Sequence, residues 1–477
     1  MLALYGSARK RKKTKRRGRF NGSDLHKTIS IKIENPGGSK MAQMTTENAK
    51  ISKRNYYMMI IEGSLFWIGA SFIDGNAVVS VFINEATGSL RLAGLAAALR
   101  NAAPIVAQFL LGMYIAQVDN FGRAMHRIST PFRWVVGLMA PLLLLGLHGA
   151  PAAVCLIALV TLFYFSDGFT GLFWTEIGAR TVPPKPRAAI QGYQQVFGGL
   201  AGLGAAFAVK ALLDAPELTF AQRYAWIFGL CGLVYLINLG ALYLIRDFPR
   251  EPVKKQPHIR FIPYVKNFAD LWRADGNFRR IMYGRILYVV SSMASSLLVL
   301  FGTAYGNLTA TQASSMLYVQ VLGQVAGGFC WVQVTRRWGN TALMMISHAI
   351  PVTVALIGVG VHFAAPATGV SCAIPVGIMV FLSGMNISAW LGFAHRVIDT
   401  VDPAKRTGYL VLQSLAQFPF TFASYLAGMV AERFSYLPVF VAILLSSGAG
   451  LALTGSLHRS ARSTAIRVET SAASEEK

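Results

Sequence analysis

Charge is scarce in this chain and acid is scarcer: 14% of the 477 residues are charged, with 21 Asp and Glu against 45 Lys and Arg. An ordinary soluble domain carries about 25% charged residues. Disordered chains lack aromatics, whereas this one holds 29 Phe, 17 Tyr and 8 Trp, so both classes are excluded for all but its ends. Cysteine is sparse too. Cys155, Cys231, Cys330 and Cys372 stand singly in apolar runs with no CxxC pair, which excludes a disulfide scaffold or structural zinc and leaves them as small packing residues. There is no Walker-type glycine loop, no HExxH and no GxSxG, so neither ATP hydrolysis nor hydrolase chemistry is expected. No enzyme activity, metal or cofactor is indicated. The histidines add little: His148 and His362 lie at run ends, and His348 is alone in an apolar run, where packing is its commoner role.

Apolar residues are abundant, at 54% with a mean hydropathy of +0.46. From Tyr56 to residue 456 they gather into twelve runs of about 18 to 25 residues, the length that crosses about 30 Å of hydrocarbon as helix. The third and fourth runs are divided only by Gly149-Ala150-Pro151. Backbone polar groups in lipid must be satisfied within the protein, so such runs are helices rather than barrel strands. The expected fold class is an all-α polytopic membrane protein.

The basic residues set the orientation. With the N-terminus inside, 40 Lys and Arg fall in cytoplasmic segments and four in outer loops: Arg91, Lys210, Arg223 and Arg433. Both termini are then cytoplasmic, in a plasma membrane or a bacterial inner membrane. Residues 1–54 form a basic tail with nine Lys and Arg between Arg9 and Arg19. It reads as a disordered tail that can hold anionic lipid, or, if translation starts at Met41 or Met44, as an upstream artefact. The charge of +24 lies in loops and tails, so nucleic acid is not an expected partner.

The longest connection is rich in proline (Pro249, Pro252, Pro257, Pro263) and basic residues. It reads as a linker, 247–278, between six-helix halves at 55–246 and 279–458, with a tail at 459–477. An internal repeat supports the division. Gln108-x3-Gly112-x4-Gln117-Val118 recurs as Gln324-x3-Gly328-x4-Gln333-Val334, and Phe165-x2-Gly168-x5-Trp174-x5-Arg180 as Phe381-x2-Gly384-x5-Trp390-x5-Arg396, both at an offset of 216 residues. Pro184-x2-Arg187-x6-Gln194 and Pro403-x2-Arg406-x6-Gln413 share an offset of 219.

Twelve spans in two repeated halves with a basic central loop resemble the major facilitator superfamily of transporters, over roughly residues 55–458. Its loop signature Gly-x3-Asp-(Arg/Lys)-x-Gly is met in part by Asp119, Gly122 and Arg123, with Ile115 and Asn120 departing from it. The second copy keeps Arg336, Arg337 and Gly339 but has Thr335 in place of an acid. The resemblance implies alternating access, with two bundles rocking around a central site. Asp119 and the basic residues Arg123, Arg180, Arg187, Arg336, Arg337, Arg396 and Arg406 would then gate the cytoplasmic face, or serve only as topology determinants.

Charges within the runs are few and costly, about 2.5 to 3.5 kcal/mol each on insertion scales: Glu62, Asp74, Arg100 and Asp167. Asp74 and Arg100 lie at equal depth and can pair, as a structural pair, a substrate contact or part of a proton relay. Glu62 and Asp167 are two acids in poorly solvated places, a pairing that favours one retained proton and suits proton coupling. The bland alternative has Glu62 at the interface and Asp167 capping a break at Gly168. The repeat sets Ser383 opposite Asp167. Candidate cavity residues are Asn76, Trp174, Asn386 and Trp390, the tryptophans otherwise belonging to an interfacial belt. Gly198, Gly199, Gly202 and Gly204 resemble the glycine-rich fifth span of antiporters without its proline. The functional expectation is a secondary transporter of a small organic solute, proton-coupled, monomeric, with export favoured over uptake. A facilitative uniporter and a transport-inactive sensor or scaffold on the same fold are the alternatives.

Overall fold

The computed structural model describes residues 46–114, 118–248, 261–401 and 406–475; residues 1–45 of the expected basic tail lie outside them, while residues 46–54 belong to the first helix rather than to a tail. The described residues form one compact unit. Among the described residues there are helices and turns and no strands. In chain order the helices are α1 (Thr46–Phe72), α2 (Ser80–Thr87), α3 (Leu90–Tyr114), α4 (Phe121–Phe132), α5 (Met139–Leu144), α6 (Gly149–Thr181), α7 (Pro184–Asp214), α8 (Phe220–Tyr243), α9 (Phe261–Ala274), α10 (Gly276–Ser291), α11 (Leu298–Tyr305), α12 (Ala310–Thr368), α13 (Ala373–Asn386), α14 (Leu391–Thr400), α15 (Arg406–Gln417), α16 (Ala423–Arg433) and α17 (Leu437–Glu475).

Nine helical stretches among the described residues are long and apolar enough to cross a membrane. One of them, α12, is two helices that meet at Gly339 and so holds both the eighth and ninth apolar runs; Gly339 turns the chain at φ 79° and ψ 176°, a conformation only glycine adopts cheaply. The third and eleventh runs are interrupted instead. The third continues from α4 through a 3-10 turn at Val135–Leu138 into α5, with Pro131 just before the break. The eleventh runs from α15 through a 3-10 turn at Phe418–Phe422 into α16, with Pro419 opening that turn. Proline removes a donor and clashes with the preceding turn, so each helix tightens or breaks there.

Local chemistry sets several helix starts. Thr219 and Gln222 form a capping box at α8, and Thr309 and Gln312 do so at α12. Asn120 caps α4 by accepting the Arg123 N–H, and Asp275 caps α10 by accepting that of Phe278; each such side chain satisfies a donor that helix geometry leaves orphaned. The linker read from the prolines is not all irregular. Its helix α9 buries Phe268 in a cluster with Phe278 and Tyr409, and Phe109 of α3 packs at the edge of that cluster.

The core is apolar, as in a soluble protein, but so is much of the surface. Leu200, Leu233, Leu356, Leu426 and Leu445 stand exposed, while Glu62, Arg133, Asn238, Arg285, Gln320, His348 and Asn386 are buried. A lipid solvent asks for this arrangement, with apolar groups outward and polar groups satisfied within.

Helices from the two halves of the sequence touch at the end of the bundle that the charge distribution assigns to the outside. There α3 crosses α16 with almost no gap: a Cβ on Gly94 would lie 2.2 Å from the Ser424 carbonyl oxygen, and one on Gly428 would lie 2.4 Å from that of Leu90. Small residues of this kind let helix backbones meet. Glu432 accepts hydrogen bonds from the Arg91 backbone N–H (2.9 Å) and the Ser89 hydroxyl (3.1 Å), and pairs with the Arg91 guanidinium. A second seam joins α7 to α12, where Phe207 stacks on Tyr318 and Ser314 donates to Asp214 at 2.6 Å.

Candidate functional site

Two of the sequence-predicted acids come together around an arginine that the loop count had assigned to the cytoplasmic side. Arg133 falls at the break between α4 and the 3-10 turn, where its backbone N–H still bonds to Ser129. Its side chain turns inward and is 3% exposed. Nη2 donates to Glu62 Oε1 of α1 at 2.7 Å, Nη1 donates to Asp167 Oδ1 of α6, and Nε donates to Asn238 Oδ1 of α8 at 2.9 Å. Asn238 in turn donates to the Glu62 backbone carbonyl at 2.6 Å. Four helical segments therefore converge on one guanidinium, whose planar fork suits such multiple pairing.

Phe66, Phe163 and Tyr235 surround the cation, their ring centroids 5.0, 5.8 and 5.8 Å from its Cζ. Aromatic faces contribute favourably to a desolvated cation. Glu62 is almost wholly buried, whereas the Asp167 side chain keeps 25% of its exposure. With both acids ionised the cluster carries two negative charges and one positive.

A second polar group lies further along the first span. α1 ends at Phe72, and the chain resumes in one turn of π-helix, Gly75–Val79, before α2. π-Turns of this kind are frequent at functional sites. Asp74 sits at the junction, where Oδ1 accepts the Ala77 N–H and Oδ2 accepts Nε2 of Gln320 on α12 at 2.6 Å, a buried bond linking the two halves. Arg100 lies within electrostatic reach of Asp74 and over the ring of Tyr164, 5.3 Å from its centroid. Gly75 leaves room for the Arg100 guanidinium, since a Cβ there would lie 1.9 Å from Nη1 and the arginine would have to shift.

The remaining predicted residues fall in several places. The Asn76 side chain lies outside the described residues, as do those of Arg187 and Arg406. Asn386 is buried, its Nδ2 bonded to the Ser347 carbonyl at 3.2 Å and its Oδ1 without a partner. Trp174 is half-buried with its indole N–H unpartnered. Asp119 and Arg123 are exposed, as are Arg336 and Arg337, and Gly122 packs beside the backbone N–H of Asp247. Arg180 pairs with Glu176 and Asp247 and stacks over Phe121, ties that reach no further along the chain than the first residue of the linker. Arg396 is half-buried.

The second half holds its own buried arginine, Arg285 on α10, which the loop count also missed. Nε donates to Gln417 Oε1 at 2.9 Å, and the guanidinium carbon lies 5.3, 5.2 and 5.9 Å from the ring centroids of Tyr288, Trp390 and Phe393. Both arginines stand near the start of a run, where a count of loop charges absorbs them. The signal available in the sequence was their position inside the run boundaries.

No protein-family model matches the chain, and no curated protein matches it. Solved structures do. A D-xylose-proton symporter aligns over 83% of this chain and 97% of its own, with 12% identity and a TM-score of 0.62. The nucleoside transporter NupG aligns over 85% and 98%, with 11% identity and a TM-score of 0.56. A bacterial homologue of the iron transporter ferroportin in its inward-facing state aligns over 84% and 99%, with 16% identity and a TM-score of 0.58. At such identities the likeness establishes architecture: the chain has the major facilitator fold of polytopic membrane transporters.

Proposed function

We propose that this protein is a secondary transporter, not an enzyme, that moves a small organic solute by alternating access and couples the movement to a proton, with export as the favoured direction. It acts as a monomer in a plasma membrane or bacterial inner membrane, with both termini cytoplasmic and the basic tail against anionic lipid. One protein of the same fold is by name a proton symporter.

The observation that carries this reading is the Glu62–Arg133–Asp167 cluster. Fully ionised it is one charge short of neutrality in a place where charge is expensive, and a single proton balances it. One of the two acids carries that proton. Protonation removes a carboxylate charge facing Arg133 and weakens one of its ties, to α1 or to α6, which gives the bundle two packing arrangements whose balance follows pH.

The test is flux in proteoliposomes under an imposed pH gradient, with trapped pyranine reporting proton movement as solutes are added. Solute-dependent proton flux in the wild type, lost in Asp167→Asn and Glu62→Gln, is the expected result. Solute flux indifferent to the gradient and to both substitutions would identify a uniporter. Absence of flux with every solute class would favour a sensor or scaffold.

A further inference from the structure

The two buried arginines are satisfied very differently. Arg133 has two carboxylates, whereas none of the ion pairs among the described residues includes Arg285. Arg285 is 8% exposed, its Nη1 is buried without a hydrogen-bond partner, and its Nε donates to the neutral Gln417 amide. A guanidinium does not lose its charge by deprotonation in a protein, so a buried one lacking an anion is a costly arrangement unless an anion arrives. The surroundings fit an organic partner. Tyr288, Trp390 and Phe393 present their rings to the cation, and Trp390 is itself 40% exposed, so the site has an apolar wall that extends to the protein surface.

Neutral polar atoms without partners gather on the same elements. Gln413, one helical turn from Gln417 on α15, has an unpartnered buried Oε1. Asn386, whose backbone carbonyl accepts the Tyr288 hydroxyl at 2.7 Å, has an unpartnered buried Oδ1. Both are acceptors that a solute's N–H or O–H groups can satisfy.

We infer that Arg285, Gln417 and the Tyr288–Trp390–Phe393 wall form a binding subsite for a small organic monocarboxylate, the carboxylate on the guanidinium and the apolar body against the rings. One cation balances one negative charge, which selects a monocarboxylate over a phosphate dianion, and the rings reward a carbon skeleton that an inorganic anion lacks. Arg285 lies nine residues into α10, about 14 Å along the helix from its start, near the cytoplasmic end of its apolar run. The inference rests on the transport reading and names its substrate class.

Binding to the purified full-length protein, with no gradient and no transport required, tests it. Acetate, benzoate and indole-3-acetate serve as probes, with benzamide as the neutral isostere and inorganic sulfate as the bare anion, read by thermal shift and isothermal titration. An aromatic carboxylate is expected to bind at least tenfold tighter than benzamide, acetate or sulfate. Arg285→Gln should weaken that binding at least tenfold. Arg285→Lys, which keeps the charge, and Trp390→Ala, at an exposed ring, should each weaken it less, so a folding failure in one variant leaves the others to decide. Equal affinity for benzoate and benzamide, sulfate binding as tightly as benzoate, or carboxylate affinity unchanged by all three substitutions overturns the inference. Arg285-dependent binding without flux would retain the subsite and remove the transport reading. Proton-coupled flux of a solute that none of these substitutions affects would do the reverse.

Discussion

Arg133 bears on the stability of the first half as well as on its chemistry. It satisfies Glu62, Asp167 and Asn238 from one point, and removing one member of a buried ionic group leaves the others uncompensated, at a cost of about 3 to 5 kcal/mol. Arg133→Met is therefore expected to lower the unfolding midpoint in detergent sharply, and adding Glu62→Gln and Asp167→Asn is expected to restore most of the loss. A single variant as stable as wild type, or a triple variant as unstable as the single, would show that the cluster is not an energetic unit. These residues mark the limit of the sequence reading. Glu62 and Asp167 stand out as acids in apolar runs. Their partner is 71 residues from one and 34 from the other, and nothing in local pattern reports a tertiary neighbour. Arg133 and Arg285 stand just inside run boundaries, too near them for a count of loop charges to set them apart, and the structure shows that both are buried.

Helical elements were far more legible, because a run long enough to cross hydrocarbon and a 216-residue repeat are properties of the chain itself. Their interruptions were less so. The breaks around Pro131 and Pro419 and the π-turn after Asp74 arise from local backbone chemistry inside runs that hydropathy averages over. Helix α9 was hidden by the prolines around it, and only its docking against α10 and α15 makes its apolar side visible. At this scale the contact between α3 and α16 makes a prediction about pH. The Arg91 backbone N–H foremost, against the opposing effect of partial burial and with help from the Arg91 and Ser89 side chains, holds the Glu432 carboxyl below its ordinary 4.5. A depressed carboxylate stabilises the contact above its free value, and that stabilisation is lost as pH falls through the bound value. The outer seam is expected to stay closed from about pH 8 to about pH 5 and to loosen below about pH 4.5. Labelling of Ser424→Cys, at a buried position in the seam, should accelerate over that acid range and should be faster at neutral pH in Glu432→Gln. A rate unaffected by both changes would remove Glu432 from the closure.

For the whole molecule, the halves meet at more than one level. The α3–α16 and α7–α12 seams lie at the end assigned to the outside, Asp74 meets Gln320 further in, and Phe109 of α3 packs on the Phe268 cluster toward the other end; the buried ionic cluster belongs to the first half while the arginine with neutral neighbours belongs to the second. On the proposed reading, with the proton on one bundle and the solute on the other, binding either ligand shifts the rocking equilibrium that both share. The repeat foreshadowed this asymmetry through Ser383, which occupies the position opposite Asp167.

Alternating opening of the two faces is the central claim, and paired spin-label distances test it most directly. With Cys155, Cys231, Cys330 and Cys372 replaced, one label pair at Glu217 and Asn307 reports the outer side and another at Arg127 and Trp338 the inner side, all four positions exposed. As the pH or a bound carboxylate is varied, the account predicts that the outer distance lengthens while the inner one shortens, in proportion across conditions. Distances that stay fixed, or that rise and fall together on both faces, would contradict it.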